Sequence, residues 1–230
     1  MFNFKKEPRN YNRRYKEDYG FIRTLYITWF LYFVVYPAGF FFYNVKVFGR
    51  ENLDKKKRYL YTSNHTSYID PPLISIVANK PVAYMAKKEL YTSKNLLTRF
   101  LVISLGSFAV DRDKPEIATF KTIKDIVNKT KWSLGIFPQG KITPDNSVAD
   151  VQKGFITVAK SAKMDIVPVV IKGFDGYAKR LFQKHIELYI QPPISYELPE
   201  DEILEKWKAY YSCFEANQVN EQNQEKEFTV

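Results

Sequence analysis

The sequence predicts an α/β fold, a mixed, largely parallel sheet with helices on both faces, preceded by an N-terminal membrane-docking helical segment. Three observations carry this expectation. Between residues 45 and 214, short β-prone runs alternate with runs of helical period, the pattern of a covered, mostly parallel sheet. Residues with chemical potential gather where those strands are expected to end, the usual place for ligands in such sheets. Residues 24–45 are 22 consecutive positions without a formal charge, ten of them aromatic. A chain of 230 residues suits one substantial domain. The division that follows is a basic leader and aromatic membrane anchor over 1–44, one α/β domain over 45–214, and a polar tail over 215–230.

Taken in order, the leader 1–23 holds seven basic and three acidic residues. The uncharged run behind it has the roughly 20 residues that a membrane crossing needs. Pro37, followed by Ala38 and Gly39, interrupts that run, and both flanks are basic, with Lys46, Arg50 and the cluster Lys55, Lys56, Lys57, Arg58 after it. The positive-inside tendency puts both flanks on the cytoplasmic side, which a single crossing fits poorly. The expected arrangement is a helix to about Tyr36 and a second short segment, both half-embedded in the cytoplasmic leaflet, since aromatic side chains favour the headgroup boundary. A cleaved signal peptide fits worse, because the run is bulky and lacks a small-residue cleavage site.

Beyond it, Val45 to Phe48 reads as a short strand ended by Gly49, and 58–63 as the next. Asp70, Pro71 and Pro72 open a helix running to about Ala78, proline being tolerated in a first turn. A strand covers 81–85; apolar positions 96–105 form a helix face stopped by Gly106; 107–110 is a strand. Ile117, Phe120, Ile123, Ile126 and Val127 recur at helical spacing, so a helix covers about 116–129. A buried strand at 134–137 closes on Pro138, Gln139 and Gly140; a helix over 151–163 leads to a strand at 166–171; 186–190 is a late strand. Ile203, Leu204, Trp207, Tyr210, Tyr211 and Phe214 mark a final amphipathic helix.

Charge and cysteine content narrow the classes. The net charge is +10, but residues 195–230 carry −6 and the remainder +16, a surface suited to an anionic partner. A basic balance with no recognised reading module does not make a nucleic-acid binder. The single cysteine, Cys213, excludes an internal disulfide and offers no zinc pattern, consistent with a buried thiol in a reducing compartment. No G-x-S-x-G occurs, so a serine hydrolase elbow is absent from the sequence.

The candidate chemistry centres on His65, one of two histidines, on the loop between a strand end and a helix start. Asp70, five residues later at that helix start, is placed to turn back, accept from one ring nitrogen and leave the other as a general base. His185 carries no comparable partner in the sequence and is assigned no role.

Further strand-end clusters follow at Lys87-Lys88-Glu89, Asp111-Arg112-Asp113 and 137–141. Together they resemble the four blocks of the glycerolipid acyltransferases, above all the bacterial 1-acylglycerol-3-phosphate acyltransferases. Residues 64–70 match the N-H-x-x-x-x-D block, and 86–90 resemble the A-K-x-E-L stretch after it. Residues 106–112 match the second block, 137–140 the third and 166–169 the fourth, in order over about residues 45–193.

The resemblance implies acyl transfer from an acyl thioester, acyl-CoA or acyl carrier protein, to the free hydroxyl of lysophosphatidic acid at a bilayer, with no cofactor or metal. His65, held by Asp70, would take the hydroxyl proton, help typically worth about 10²–10⁴ in rate. No nucleophilic serine is needed, because the thioester is already activated. Backbone N–H groups near a helix start or around Gly140 are candidates to stabilise the oxyanion. Lys87 and Arg112 resemble positions that hold the acceptor phosphate. The family's third block reads F-P-E-G-T-R-S, whereas this chain has Gln139, Gly140, Lys141, Ile142 and Thr143 after Phe137-Pro138. The carboxylate is an amide and the arginine position holds isoleucine. Lys141 is a replacement cation without a bidentate fork, and Gln139 can exchange hydrogen bonds with a hydroxyl. Acyl transfer to a phosphate-free hydroxylated lipid therefore stands as an alternative, and a non-catalytic membrane adaptor as a third that would leave the His65–Asp70 pair unused.

Overall fold

The computed structural model describes residues 16–110, 117–143, 151–173 and 186–212. Seven strands form one sheet in the order β1 (Lys46–Phe48), β7 (Glu187–Ile190), β6 (Ile166–Lys172), β2 (Leu60–Ser63), β5 (Ser133–Ile136), β3 (Val82–Lys87), β4 (Phe108–Val110). Among the described strands only the β6–β7 pair is antiparallel. The sheet is thus mixed and largely parallel, as the alternating pattern predicts. After β2 the chain crosses to β3, beyond β5, and later returns to β6 on β2's other side. β2 therefore has β5 and β6 as its two parallel neighbours. This brings the loops that follow β2 and β5 side by side at one edge of the sheet.

Each face of the sheet carries its own apolar cluster. Helix α3 (Asp70–Ala78) buries Leu73, Ile74, Ile76 and Val77 on one face, with Tyr61, Val167 and Leu188 from the strands. Helices α5 (Ile117–Lys129) and α6 (Gly154–Ala162) cover the other with Ile123, Ile126, Phe155 and Ile156. A last helix, α7 (residues 200–212), seats Trp207 and Tyr211 on the end of β2, where Trp207 Nε1 donates to Thr62 Oγ1 at 2.9 Å and the Tyr211 hydroxyl to Val169 O at 2.9 Å. Helix α4 (Leu96–Ser104) stops before Gly106, whose positive φ of 79° and contact with the Trp132 ring, 2.5 Å from where a Cβ would sit, admit no side chain.

The N-terminal segment departs from expectation. Instead of two pieces broken at Pro37, it is one helical run of 23 residues, 21–43, long and apolar enough to cross a membrane. Helix α1 (Phe21–Phe30) passes through a π turn (Leu31–Val35) into α2 (Tyr36–Tyr43). The wider turn resolves the proline problem. Tyr36 N–H reaches back five residues to Leu31 O, and Pro37, which lacks a donor, enters the first turn of the new helix. Ile27, Leu31 and Gly39 face inward, while Phe21, Ile22, Trp29, Phe33, Phe40 and Phe41 face out. Arg23 donates to Ile103 O at 2.9 Å, and the Tyr32 and Tyr36 hydroxyls both reach Asn79 Oδ1, at 2.6 and 3.2 Å.

Candidate active site

His65 follows β2 directly, and Asp70 is the first residue of α3. The turn between them sets the pair. Asp70 Oδ2 accepts backbone N–H bonds from Thr66 (2.7 Å) and Ser67 (2.8 Å) and lies 2.8 Å from His65 Nδ1. The Asp70 carboxylate is fully buried, and the His65 side chain keeps 18% of its surface exposed. With ionised Asp70 able only to accept, Nδ1 carries the proton and Nε2 presents its lone pair. Among the described residues no group bonds to Nε2. The Phe137 ring stacks on the imidazole at 4.1 Å between centroids and 19° between planes, which fixes the ring's plane as Asp70 fixes its rotation.

Strand order grips the loop from both sides. Toward β6, Asn64 exchanges two bonds with the backbone of Ile171, at 2.9 and 2.8 Å. Toward β5, the His65 N–H donates to Gln139 Oε1 at 2.5 Å, and the Thr143 N–H donates to His65 O at 2.7 Å. The Gly140 N–H is taken up by Phe137 O at 2.9 Å in a turn where Gly140 has φ 70°, so that amide, like those of Thr66 and Ser67, already has a protein acceptor.

His65 opens onto a cavity of about 1010 Å³. This is at the upper end of small-molecule sites, which run roughly 300–1,000 Å³. Its walls are mainly apolar, with Leu31, Val35, Leu73, Tyr84, Val102 and Ile123 among them, so the N-terminal helix is one side of the site. Tyr84 is buried there with its hydroxyl donating to Pro71 O at 2.7 Å and 2.9 Å from Ser75 Oγ. Burial pushes that hydroxyl far above the usual tyrosine range, so it stays protonated at any working pH.

Of the residues singled out in the sequence, His65, Lys87, Gln139, Gly140 and Lys141 line this cavity, and Asp70 stands behind His65. Lys87, half exposed, lies 3.6 Å from Glu89. Gln139 is 5% exposed, and its amide meets protein groups on both atoms, since Nε2 also donates to Thr143 Oγ1 at 2.8 Å. Arg112, His185 and Cys213 lie outside the described residues. Sequence reasoning did not single out Phe137, Thr143 or the side chain of Asn64 for separate roles. Phe137 and Thr143 meet His65, and Asn64 meets Ile171, across 72 or more positions, contacts that only the strand order brings about.

Residues 44–172 match the family model described as Acyltransferase. The 1-acyl-sn-glycerol-3-phosphate acyltransferase of Bacillus subtilis is 30% identical over 152 residues, 65% of this chain and 73% of that protein. The protein of the same name from Streptococcus pneumoniae is 30% identical over 121 residues, 52% of this chain, and the match spans 44% of that relative's length. The crystal structure of the 1-acyl-sn-glycerophosphate (LPA) acyltransferase PlsC from Thermotoga maritima shares the fold, with a TM-score of 0.55 at 19% identity, over 85% of this chain and 97% of that one. The matched span runs from the end of the N-terminal helix to the end of β6 and takes in His65, Asp70 and the β5 loop, and on that basis the chain belongs to the acyltransferase family, among the glycerolipid O-acyltransferases.

Proposed function

We propose that the chain transfers an acyl group from an acyl thioester, acyl-CoA or acyl carrier protein, to the free hydroxyl of lysophosphatidic acid, giving phosphatidic acid. The observation that carries this reading is the His65–Asp70 pair at the wall of a large apolar cavity, with Nε2 as the available base. The names of the Bacillus and Streptococcus relatives supply the acceptor.

In this mechanism the acyl chain lies against the apolar walls and the thioester carbonyl sits near His65. The acceptor oxygen attacks the carbonyl carbon as Nε2 takes its proton, and Asp70 stabilises the imidazolium through Nδ1–H. Collapse of the tetrahedral intermediate breaks the C–S bond, and the departing thiolate takes the proton back from the imidazolium. Atoms balance as phosphatidic acid and free thiol, with no cofactor. Lys87 and Lys141, on the same cavity, supply positive charge for the acceptor phosphate; Arg112 is assigned the same task from the sequence block.

The exposed aromatic face of helix 21–43 would rest in the cytoplasmic leaflet, so that a lysolipid reaches the cavity from the bilayer. Ile142 at the block's arginine position favours one second reading, an acceptor without phosphate. The test offers labelled acyl-CoA and acyl carrier protein donors with lysophosphatidic acid and, separately, with phosphate-free lysolipids. Lysophosphatidic acid is expected to be acylated, with His65→Ala lowering the rate by about 10²–10⁴. Equal rates for wild type and variant would end the base mechanism. Acylation of phosphate-free lipids alone would end the acceptor assignment.

A further inference from the structure

We infer that Gln139 and Thr143 are positioning residues for the His65 base, and that Gln139 does not bind substrate. The inference rests on the acyl-transfer reading above for its kinetic consequence, but its structural content stands on the hydrogen-bond pattern alone.

Four bonds close a ring around the backbone of His65. The His65 N–H donates to Gln139 Oε1 (2.5 Å), Gln139 Nε2 donates to Thr143 Oγ1 (2.8 Å), the Thr143 hydroxyl faces His65 O at 3.4 Å, and the Thr143 N–H donates to the same oxygen at 2.7 Å. The direction of the ring is fixed by chemistry. A backbone N–H can only donate, so the Gln139 atom facing it is the oxygen and the atom facing Thr143 is the amide nitrogen. Because that nitrogen donates, the threonine hydroxyl is left to turn its own hydrogen toward His65 O. A carboxylate in this place would draw the Thr143 hydroxyl hydrogen to itself, whereas the amide donates to that oxygen and leaves its hydrogen for His65 O.

Burial and topology explain why the ring matters to the base. Gln139 is 5% exposed, and unpaired donors in such a place are costly, so the ring resists opening. β2 and β5 are parallel neighbours, and each carries one half of the ring on the loop after its last residue. The same β5 loop supplies Phe137, whose ring lies on the imidazole. Holding the two loops together therefore sets the height of the imidazole over the cavity, while Asp70 sets its rotation. A displacement of the base by about 1 Å can cost on the order of a hundredfold in rate.

The test uses the full-length protein with Gln139→Met, which keeps length and removes both bonds, and the pair Thr143→Val and Thr143→Ser, which remove and restore the hydroxyl. Positioning predicts that Gln139→Met lowers kcat by about ten- to a hundredfold, with KM for lysolipid and thioester within about twofold of wild type. Thr143→Val should fall several-fold and Thr143→Ser recover. Amide hydrogen exchange at His65 and Thr143 should accelerate in Gln139→Met while exchange in β6 does not. A tenfold or larger rise in lysolipid KM with kcat preserved would overturn the inference in favour of substrate binding, and so would unchanged exchange at His65. If wild type acylates none of the acceptors, the functional reading fails by itself, and the exchange measurement then decides the ring: acceleration supports it, its absence overturns it.

Discussion

Asp70 Oδ2 accepts from three donors within five residues of itself, and they serve two tasks. The Thr66 and Ser67 amides hold the carboxylate against the turn, and the third contact holds the imidazole. Asp70→Asn can keep all three contacts and tests what the charge adds to them. The amide is nearly isosteric, and because the Thr66 and Ser67 N–H groups need an acceptor at the Oδ2 position, its oxygen stays facing Nδ1–H; the tautomer is kept, while the negative charge that stabilises the imidazolium is lost. We expect kcat to fall by at least about 10² with a melting temperature close to wild type, measured by initial rates and calorimetry. Retained kcat would show that the carboxylate charge does not matter. This pair was legible in the sequence because its partners sit on one turn. The bond between His65 and Gln139 spans 74 positions and the Asn64–Ile171 exchange 107. Nothing in the local pattern says that β2 lies between β5 and β6, so the residues that hold the base in place were legible as family-like blocks but not as contacts.

Elements fared differently from contacts because apolar periodicity reports directly on which face is covered. The β2–α3 and β5–α6 alternations follow from it, and so does α5, whose Ile123 and Ile126 are buried at helical spacing. The helix around Pro37 did not follow, because proline's usual effect is to end a helix and the π turn that absorbs it has no composition cue. Gly135 is a second position where geometry decides. It pairs with Tyr84 across β5 and β3, and a Cβ there would lie 2.4 Å from the Tyr84 ring. That ring in turn stacks on Phe137, 6.2 Å away, which stacks on His65. Gly135→Ala must therefore push Tyr84 out of its place. Overpacking of this kind costs about 1–3 kcal/mol, and we expect that loss in urea unfolding together with a reduced kcat. A variant as stable and as active as wild type would show that the Tyr84–Phe137–His65 stack is not a rigid unit.

On the scale of the whole molecule, one helix has a covered side and an exposed aromatic side. Its inner side, through Ile27 and Leu31, belongs to the apolar clusters on both faces of the sheet and walls the cavity. Removing the segment would therefore disturb the fold as well as any anchor, and a deletion is a poor test of docking. Its outer side gives a cleaner one. Of the three tryptophans, Trp132 and Trp207 are buried at 1% and 0%, while Trp29 is 54% exposed. A shift of tryptophan emission on adding vesicles thus reports Trp29. With vesicles of phosphatidylcholine and phosphatidylglycerol we expect a blue shift, absent in Trp29→Phe. Phe33, Phe40 and Phe41 are 68%, 69% and 67% exposed. Moving each ring from water into lipid is worth about 1.5–3 kcal/mol, so Phe33→Ser, Phe40→Ser and Phe41→Ser together should weaken vesicle partition by well over tenfold. The melting temperature should hold, because these rings contribute little to the folded core. Unchanged partition in the triple variant would move the docking surface off this helix, and with it the proposed access of the lysolipid to the cavity from the bilayer.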